Sequence, residues 1–293
     1  METEVNAYLS KLGDDRTHSE STQQAYANDL RVFLRYLDRI EDHPPGLHDL
    51  NSEQVANFLS AERAAGHRRS TLIRRLATLR YFQEYLIEIG TLDGIRFSAG
   101  DRVIQQVISE VSEKKAKNCL TEEQVQELLK IMESSNRPRA LRDRAIFVLL
   151  LETGLSVAKL TALDMTDIDI SAKRFHINLE GEGDMWLGLG EAIKPIEDYI
   201  TDGRPNLLHE PGEAALFISQ MDGRLSRQGV WQLLKFWGDQ TDPPVPLSPR
   251  LVRHRAALRM KRSGLTLTQI QLRLGHSNLL STQALIRRLE ANC

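Results

Sequence analysis

The densest group of potential phosphate ligands in this chain lies between Ser248 and Leu289. The stretch holds nine Lys/Arg and no Asp or Glu. Short helices with cationic outer faces suit a phosphate backbone, because each cation neutralises a phosphate and releases counterions. The alternative is a charged helical face that is simply solvated, which is how most charge runs are used.

Three helices are expected to position these cations. Ser248 as the cap and Pro249 as the first helical residue begin one helix, which Gly264 ends. A second runs from about Thr266 to Gly275, and a third from about Leu280 through Leu289.

The spacing within this stretch is more specific than its charge. Arg253, then Leu274-Gly275-His276-Ser277, resembles the end of the catalytic domain of tyrosine recombinases, the phage-integrase and Xer family. In that family a His-x-x-Arg box is followed by Leu-Gly-His-Ser and, about nine residues later, by a Tyr nucleophile. The nucleophile position falls on Leu285 in this chain.

The resemblance implies a chemistry whose other groups are also replaced here. In the family, Tyr attacks a DNA phosphate, Arg and His neutralise the transition state, a Lys protonates the leaving oxygen, and no metal or cofactor is needed. The first Arg, in a motif resembling Thr-Gly-Leu-Arg-x-x-Glu-Leu, is Ser156, and the acid of that motif is Lys159. The Lys of the sheet turn is Glu182, and the His of the first box is Arg250.

A substitute nucleophile is not evident from the sequence. Five of the six Tyr residues precede residue 86, where most lie on helical stripes, and Tyr199 lies on an amphipathic helix. Ser281, Thr282 and Cys293 are conceivable nucleophiles, but each lacks the activating Lys and first Arg.

Composition places the chain among ordinary globular proteins. It has 293 residues, 41% hydrophobic and 27% charged, with a net charge of −2, so only the distribution of charge points to nucleic acid. Two cysteines, Cys119 and Cys293, predict reduced thiols and neither a disulfide framework nor a metal site. The absence of a signal peptide or long apolar run predicts a cytoplasmic, nucleoid-associated protein without membrane contact.

A second basic tract lies in the N-terminal third. Six Arg and no acidic residue occur from Arg63 to Arg80. The surrounding segment, STQQAYANDLRVFLRYL through STLIRRLATLRYFQEYL, resembles the helical core-binding domain of the same family, which clamps one face of the duplex. We therefore expect two distant basic tracts to contact one DNA ligand, through the following residues: Arg68, Arg69, Arg74, Arg75, Arg253, Arg255, Arg259, Arg262, Arg273 and His276.

These patterns predict a mostly α (α+β) protein. Residues 1–95 form a helical core-binding domain, 96–118 a linker, and 119–293 a degenerate tyrosine-recombinase-type catalytic domain with a small antiparallel sheet, built from Arg174–Leu179 and about Met185–Leu189. Arg253 and His276 are the remnants of the catalytic set. A structural role for them, with Arg253 paired to Asp167 or Glu152, is an equally weighted alternative.

The predicted function is duplex DNA binding without strand cleavage, in an architectural or regulatory role, alone, as an oligomer or beside an active recombinase. One alternative is an active recombinase whose nucleophile is substituted or donated by a partner. Another is a protein-interaction scaffold that does not bind DNA.

Overall fold

The computed structural model describes residues 1–14, 20–40, 45–109, 119–179, 183–208, 212–220, 223–276 and 278–293. The chain divides into two compact units, Met1–Lys114 and Lys115–Cys293, and each has its own apolar core. Among the described residues, no helix is long and apolar enough to cross a membrane.

The first unit consists of helices. They are α1 (Glu2–Asp14), α2 (Glu20–Ile40), α3 (Ser52–Ala64), α4 (Arg69–Glu88) and α5 (Arg102–Ser109). Asn51 caps α3 by accepting hydrogen bonds from the backbone N–H groups of Glu53 and Gln54, both at 3.0 Å. Phe33, Phe58 and Phe82 are fully buried at the centre of the unit.

The domain boundary differs from the prediction at residue 95. Phe97, Ile104 and Ile108, inside the predicted linker, are buried in the core of the first unit. Gln83 holds this segment by accepting hydrogen bonds from Arg96 N (2.8 Å) and Phe97 N (3.1 Å). Residues 96–109 therefore belong to the first unit, because their apolar side chains complete its core. The remainder of the predicted linker, 110–118, lies outside the described residues.

The second unit combines helices with one small sheet. The helices are α6 (Glu122–Glu133), α7 (Pro138–Thr153), α8 (Val157–Ala162), α9 (Ile193–Asp198), α10 (Arg227–Gly238), α11 (Pro249–Arg262), α12 (Leu267–Leu274) and α13 (Leu279–Asn292). The strands β1 (Ile168–Asp169), β2 (Arg174–Leu179) and β3 (Gly183–Gly188) pair antiparallel in that order, with Arg174 opposite Gly188. The predicted mostly helical fold with a small antiparallel sheet is confirmed.

Helix α7 forms the centre of the second unit. Ala145, Ile146, Phe147 and Leu149 are fully buried, and the helix contacts α6, α9 and α11. It ends at Gly154, whose left-handed φ of +64° reverses the chain. That reversal places the backbone carbonyl of Gly154 beside α11, where it becomes part of the site described below.

The cysteines depart from the expectation of reduced thiols. Cys119 and Cys293, which are 174 positions apart, form a disulfide. The bond links the segment before α6 to the residue after α13. Two residues so distant in sequence carry no local signal of their proximity, so cysteine count alone could not predict the bond.

Gly154 offers a test of how closely the end of α7 is packed. A Cβ there would lie 2.9 Å from Leu274 Cδ2 and 3.3 Å from Met260 Cε, whereas Gly264, with φ +88°, has nothing within 4 Å. Gly154→Ala should reduce the free energy of unfolding by about 1–3 kcal/mol more than Gly264→Ala, because both variants bear left-handed strain and only one is overpacked. Urea denaturation of both variants measures the difference, and equal losses would contradict this packing.

Candidate functional site: a cationic cluster around Arg253 and His276

Arg253 lies in the second turn of α11 and joins two helix ends. Its Nη1 donates to Gly154 O at 3.1 Å, after the end of α7, and its Nη2 donates to Leu274 O at the end of α12. Within the described part of the chain it makes no ion pair: Asp167 lies near His176, and Glu152 pairs with Arg259. Burial lowers the pKa of Arg253. The predicted pairing with Asp167 or Glu152 is therefore not observed.

His276 follows the left-handed Gly275 that ends α12. Its Nδ1 lies 2.8 Å from Thr282 Oγ1 on α13, and this contact fixes the ring. Burial, and secondly the charge of Arg253, lower the pKa of His276 below its usual value. The structure thus brings the two predicted remnants together at one place, with a neutral imidazole near pH 7.

Ser156 and Lys159 lie at the start of α8. Ser156 Oγ accepts a hydrogen bond from Lys159 N at 3.3 Å and so caps the helix. The Lys159 side chain reaches the sheet, where its Nζ donates to Asn178 O on β2 at 3.3 Å. A Cβ at Gly275 would lie 3.8 Å from that Nζ, which places the ammonium beside the residue preceding His276.

The nucleophile position holds an aliphatic packing residue. Leu285 is half-buried and packs against the core formed by α11, α12 and α13. Of the substitutes considered, Thr282 is fully buried, Ser281 is exposed with its hydroxyl on Asn278 Oδ1 at 2.9 Å, and Cys293 is oxidised.

Tyr199 has a structural role. It is fully buried, donates a hydrogen bond to Leu216 O (3.0 Å) and accepts one from Ile218 N (3.1 Å). Burial raises the pKa of its phenol to about 12, opposite to what a nucleophile requires. Among the tyrosines of the first unit, Tyr8 is buried, but Tyr81 is 45% exposed and stacks on Tyr26 at 5.8 Å, so not every one is a core residue.

Two predicted site positions, Glu182 at the sheet turn and Ser277 beside His276, lie outside the described residues. Arg250 is exposed in the first turn of α11. It precedes Arg253 by three residues and so lies on the same face of the helix.

Two of the predicted DNA ligands in the second unit are held by acids. Arg255 is 4% exposed and pairs with Glu122, and Arg259 pairs with both Glu122 (2.9 Å) and Glu152 (3.3 Å). These ion pairs attach α11 to α6 and α7, and a buried guanidinium such as that of Arg255 has no surface to offer a duplex. By contrast, Arg262 is exposed and Arg273 is half-buried.

The predicted DNA ligands of the first unit also include both arginines held by acids and arginines without an acidic partner among the described residues. Arg75 is 5% exposed, pairs with Glu62 and Asp29, and lies 5.7 Å from the Phe58 ring centroid. Arg74 also pairs with Asp29, although its side chain is 39% exposed. The remaining two, at the start of α4, are Arg68, which is exposed, and Arg69, whose Nε donates to Ile108 O at 3.3 Å.

Two family models match the two units separately. The phage integrase family model matches residues 118–290, and the phage integrase N-terminal SAM-like domain model matches residues 5–90. The chain belongs to the phage integrase family. The predicted relationship to tyrosine recombinases is therefore confirmed.

Named relatives of the integrase family align over nearly the whole chain. The tyrosine recombinase XerC of Roseiflexus castenholzii is 30% identical, over 97% of this chain and 88% of its own length. The tyrosine recombinase XerD of Shewanella oneidensis is also 30% identical, over 95% of this chain and 90% of its own.

Solved structures share the fold at low identity. The Tn1549 transposon integrase in complex with a circular intermediate DNA superimposes with a TM-score of 0.73 at 17% identity, covering 98% of both chains. A lambda integrase dimer bound to a COC′ core site gives a TM-score of 0.67 at 15% identity, covering 98% of this chain and 77% of that one.

Lys159 is the member of the cluster that the sequence does not predict. In the sequence it is only the replacement of an acid, because its ammonium meets Gly275 across more than a hundred positions. The one sequence signal for this role of Lys159 is its charge, because the family motif has an acid at this position and this chain has a base.

The Glu122 ion pairs generate a pH prediction. Burial raises the pKa of Glu122, but hydrogen bonds from Arg255 and Arg259 outweigh it and lower that pKa to about 2. Since the folded pKa is depressed, the stabilisation is present above the unfolded value near 4.5 and is lost as the pH falls from there towards 2. Because Glu122 is 43% exposed, solvent screening reduces the contribution to ~1 kcal/mol.

Glu122→Gln should therefore lower the free energy of unfolding by ~1 kcal/mol at pH 7. The difference in free energy of unfolding between the variant and the unsubstituted protein should decrease as the pH falls below about 4.5. Urea denaturation across this pH range measures it. Glu133→Gln, an exposed change at the other end of α6, is the matched control and should leave the free energy of unfolding unchanged across the pH range. A difference between Glu122→Gln and the unsubstituted protein that does not vary with pH would contradict the assigned role of the Glu122 ion pairs.

Proposed function

We propose that this integrase-family protein binds duplex DNA through its two basic tracts and does not cleave it by the tyrosine mechanism. The observation that carries the proposal is that Arg253 and His276 both lie at the end of α12, at a site whose nucleophile position is the packed Leu285. We infer that these two residues bind phosphate, while Leu285 offers no hydroxyl to attack it. The role is architectural or regulatory, occupying sites alone or beside an active recombinase.

Three observations support DNA as the ligand. Related folds, the Tn1549 and lambda integrases, are described in complex with DNA. Arg253 uses two N–H groups on carbonyls in the described part of the chain, and a guanidinium has five to offer. The exposed or half-exposed cations without an acidic partner in the described structure supply further phosphate contacts, namely Arg68, Arg69, Arg250, Arg262 and Arg273.

The four arginines held in ion pairs have a different place in the proposal. Arg75 and Arg255 are buried, so we assign them to stability rather than to DNA contact. Arg74 and Arg259 are partly exposed but already neutralised by Asp29 and by Glu122 with Glu152. A phosphate would have to compete with those carboxylates for them.

One observation favours an active enzyme with a substitute nucleophile. Thr282 Oγ1 lies 2.8 Å from His276 Nδ1, which is the geometry of a hydroxyl beside a general base. Thr282 is 0% exposed, however, so a phosphorus atom cannot approach its oxygen without displacement of α13. The exposed Ser281 has no such base among its described contacts, since its hydroxyl bonds to Asn278 Oδ1.

The central test combines binding and chemistry in one experiment. The full chain is incubated with duplexes of several sequences and with nicked suicide duplexes that trap covalent intermediates. We expect affinity to fall steeply with salt concentration and no protein–DNA adduct to survive denaturation. Absence of binding to any duplex would support the scaffold alternative, and an adduct lost in Thr282→Val would support the substitute nucleophile.

A matched pair of variants tests the cationic surface of the second unit. Arg262→Glu, at the exposed end of α11, should weaken binding to every duplex alike and reduce the slope of log affinity against log salt by about 1–2, since it removes one phosphate contact and adds a repulsive charge. Arg137→Glu, an exposed change at the start of α7, lies ~25 Å along that helix from Gly154 and should have a much smaller effect. Gel shifts over a salt series measure both, and equal effects would remove Arg262 from the interface.

A further inference from the structure

Three positively chargeable side chains approach one short backbone segment in the second unit. Leu274, Gly275 and His276 end α12, and the Leu274 carbonyl accepts a hydrogen bond from Arg253. The Lys159 ammonium lies over Gly275, where a Cβ would be 3.8 Å away. The third side chain is the imidazole of His276 itself.

Arg253 and Lys159 reach this segment from different elements. Arg253 comes from α11, fixed by its bonds to Gly154 O and Leu274 O, and Lys159 comes from α8, fixed by its bond to Asn178 O. All of these acceptors are neutral backbone carbonyls. In the described part of the chain neither cation makes an ion pair, in contrast to Arg255 and Arg259 on the same helix α11.

Two fixed cations with only neutral acceptors repel each other, and a bound anion would relieve that repulsion. Because His276 is neutral near pH 7, the permanent charge of the cluster comes from Arg253 and Lys159. Both side chains have further N–H donors beyond those bonded to described residues. Arg253 uses two of its five N–H groups on described residues, and Lys159 uses one of its three.

The geometry points to Lys159 as a phosphate ligand that completes, with Arg253 and His276, a binding site for a single phosphodiester of duplex DNA. This inference rests on the proposed DNA binding and adds to it a residue and a site. Lys159 acts as a point charge on a flexible stem, so it contributes affinity for any sequence and no base preference.

The first experiment compares Lys159→Gln, Lys159→Arg and the control Lys130→Gln in the full chain. Lys130 is an exposed lysine in the last turn of α6. With duplex DNA, Lys159→Gln should reduce the salt slope by about 0.9, the value for one phosphate contact, while Lys159→Arg and Lys130→Gln retain the original slope. Thermal unfolding of each variant establishes that it is folded.

The second experiment does not require DNA. Inorganic phosphate is titrated into the full chain while the imidazole resonances of His276 are followed by NMR. A bound anion should raise the pKa of His276 in the unsubstituted protein, and Lys159→Gln should weaken that response severalfold. Lys159→Arg should restore it, which a merely structural role of Lys159 in α8 would not require.

The two experiments separate the inference from the function on which it rests. DNA binding with an unchanged salt slope in Lys159→Gln overturns the inference and leaves the proposed function standing. Absence of DNA binding by the unsubstituted protein overturns the proposed function and DNA as the ligand of this site, and the phosphate titration then decides whether Lys159 is a phosphate ligand. If phosphate does not shift the pKa of His276, or shifts it equally in Lys159→Gln and in the unsubstituted protein, the inference about Lys159 is overturned.

Discussion

The site depends on the bridge that Arg253 forms between two helix ends. Its guanidinium donates to the carbonyls of Gly154 and Leu274, which are among the last carbonyl groups of α7 and α12. Such carbonyls lack partners within their own helices and carry the negative end of the helix dipole, so a cation stabilises both at once. The close approach of the two ends requires glycine at 154, where a side chain would meet Leu274 and Met260.

That bridge gives Arg253 a structural role that does not depend on any reaction. Its two hydrogen bonds join two helix ends, so its presence alone says nothing about chemistry. The charge around it differs from that around two buried arginines. Arg255 pairs with Glu122, and Arg75 pairs with Glu62 and Asp29, whereas Arg253, like Arg204, donates only to backbone carbonyls among the described residues.

Local signals in the sequence predict the helix ends around α11 and α12. The caps at Ser248 and Thr266 and the left-handed stop at Gly275 appear where their residue types indicate, because a cap involves atoms only two or three residues apart. Long-range pairings carried no such signal. Arg255 meets Glu122 across 133 positions and Cys119 meets Cys293 across 174, so the sequence suggested free arginines and thiols where the fold supplies partners.

The two residues at the start of α8 change the charge of the family motif. The family motif places Arg and Glu three residues apart, with no net charge, and this chain places Ser156 and Lys159 there, with a net charge of +1. A carboxylate in place of Lys159 would lie beside Gly275 and would repel a phosphate at the proposed site. Here the serine caps α8 and the lysine directs its charge towards Gly275, so the two replacements together preserve helix stability and increase the positive charge beside His276. The phosphate site that we propose requires that positive charge and no nucleophilic hydroxyl, and the combination of Lys159 with Leu285 meets both conditions.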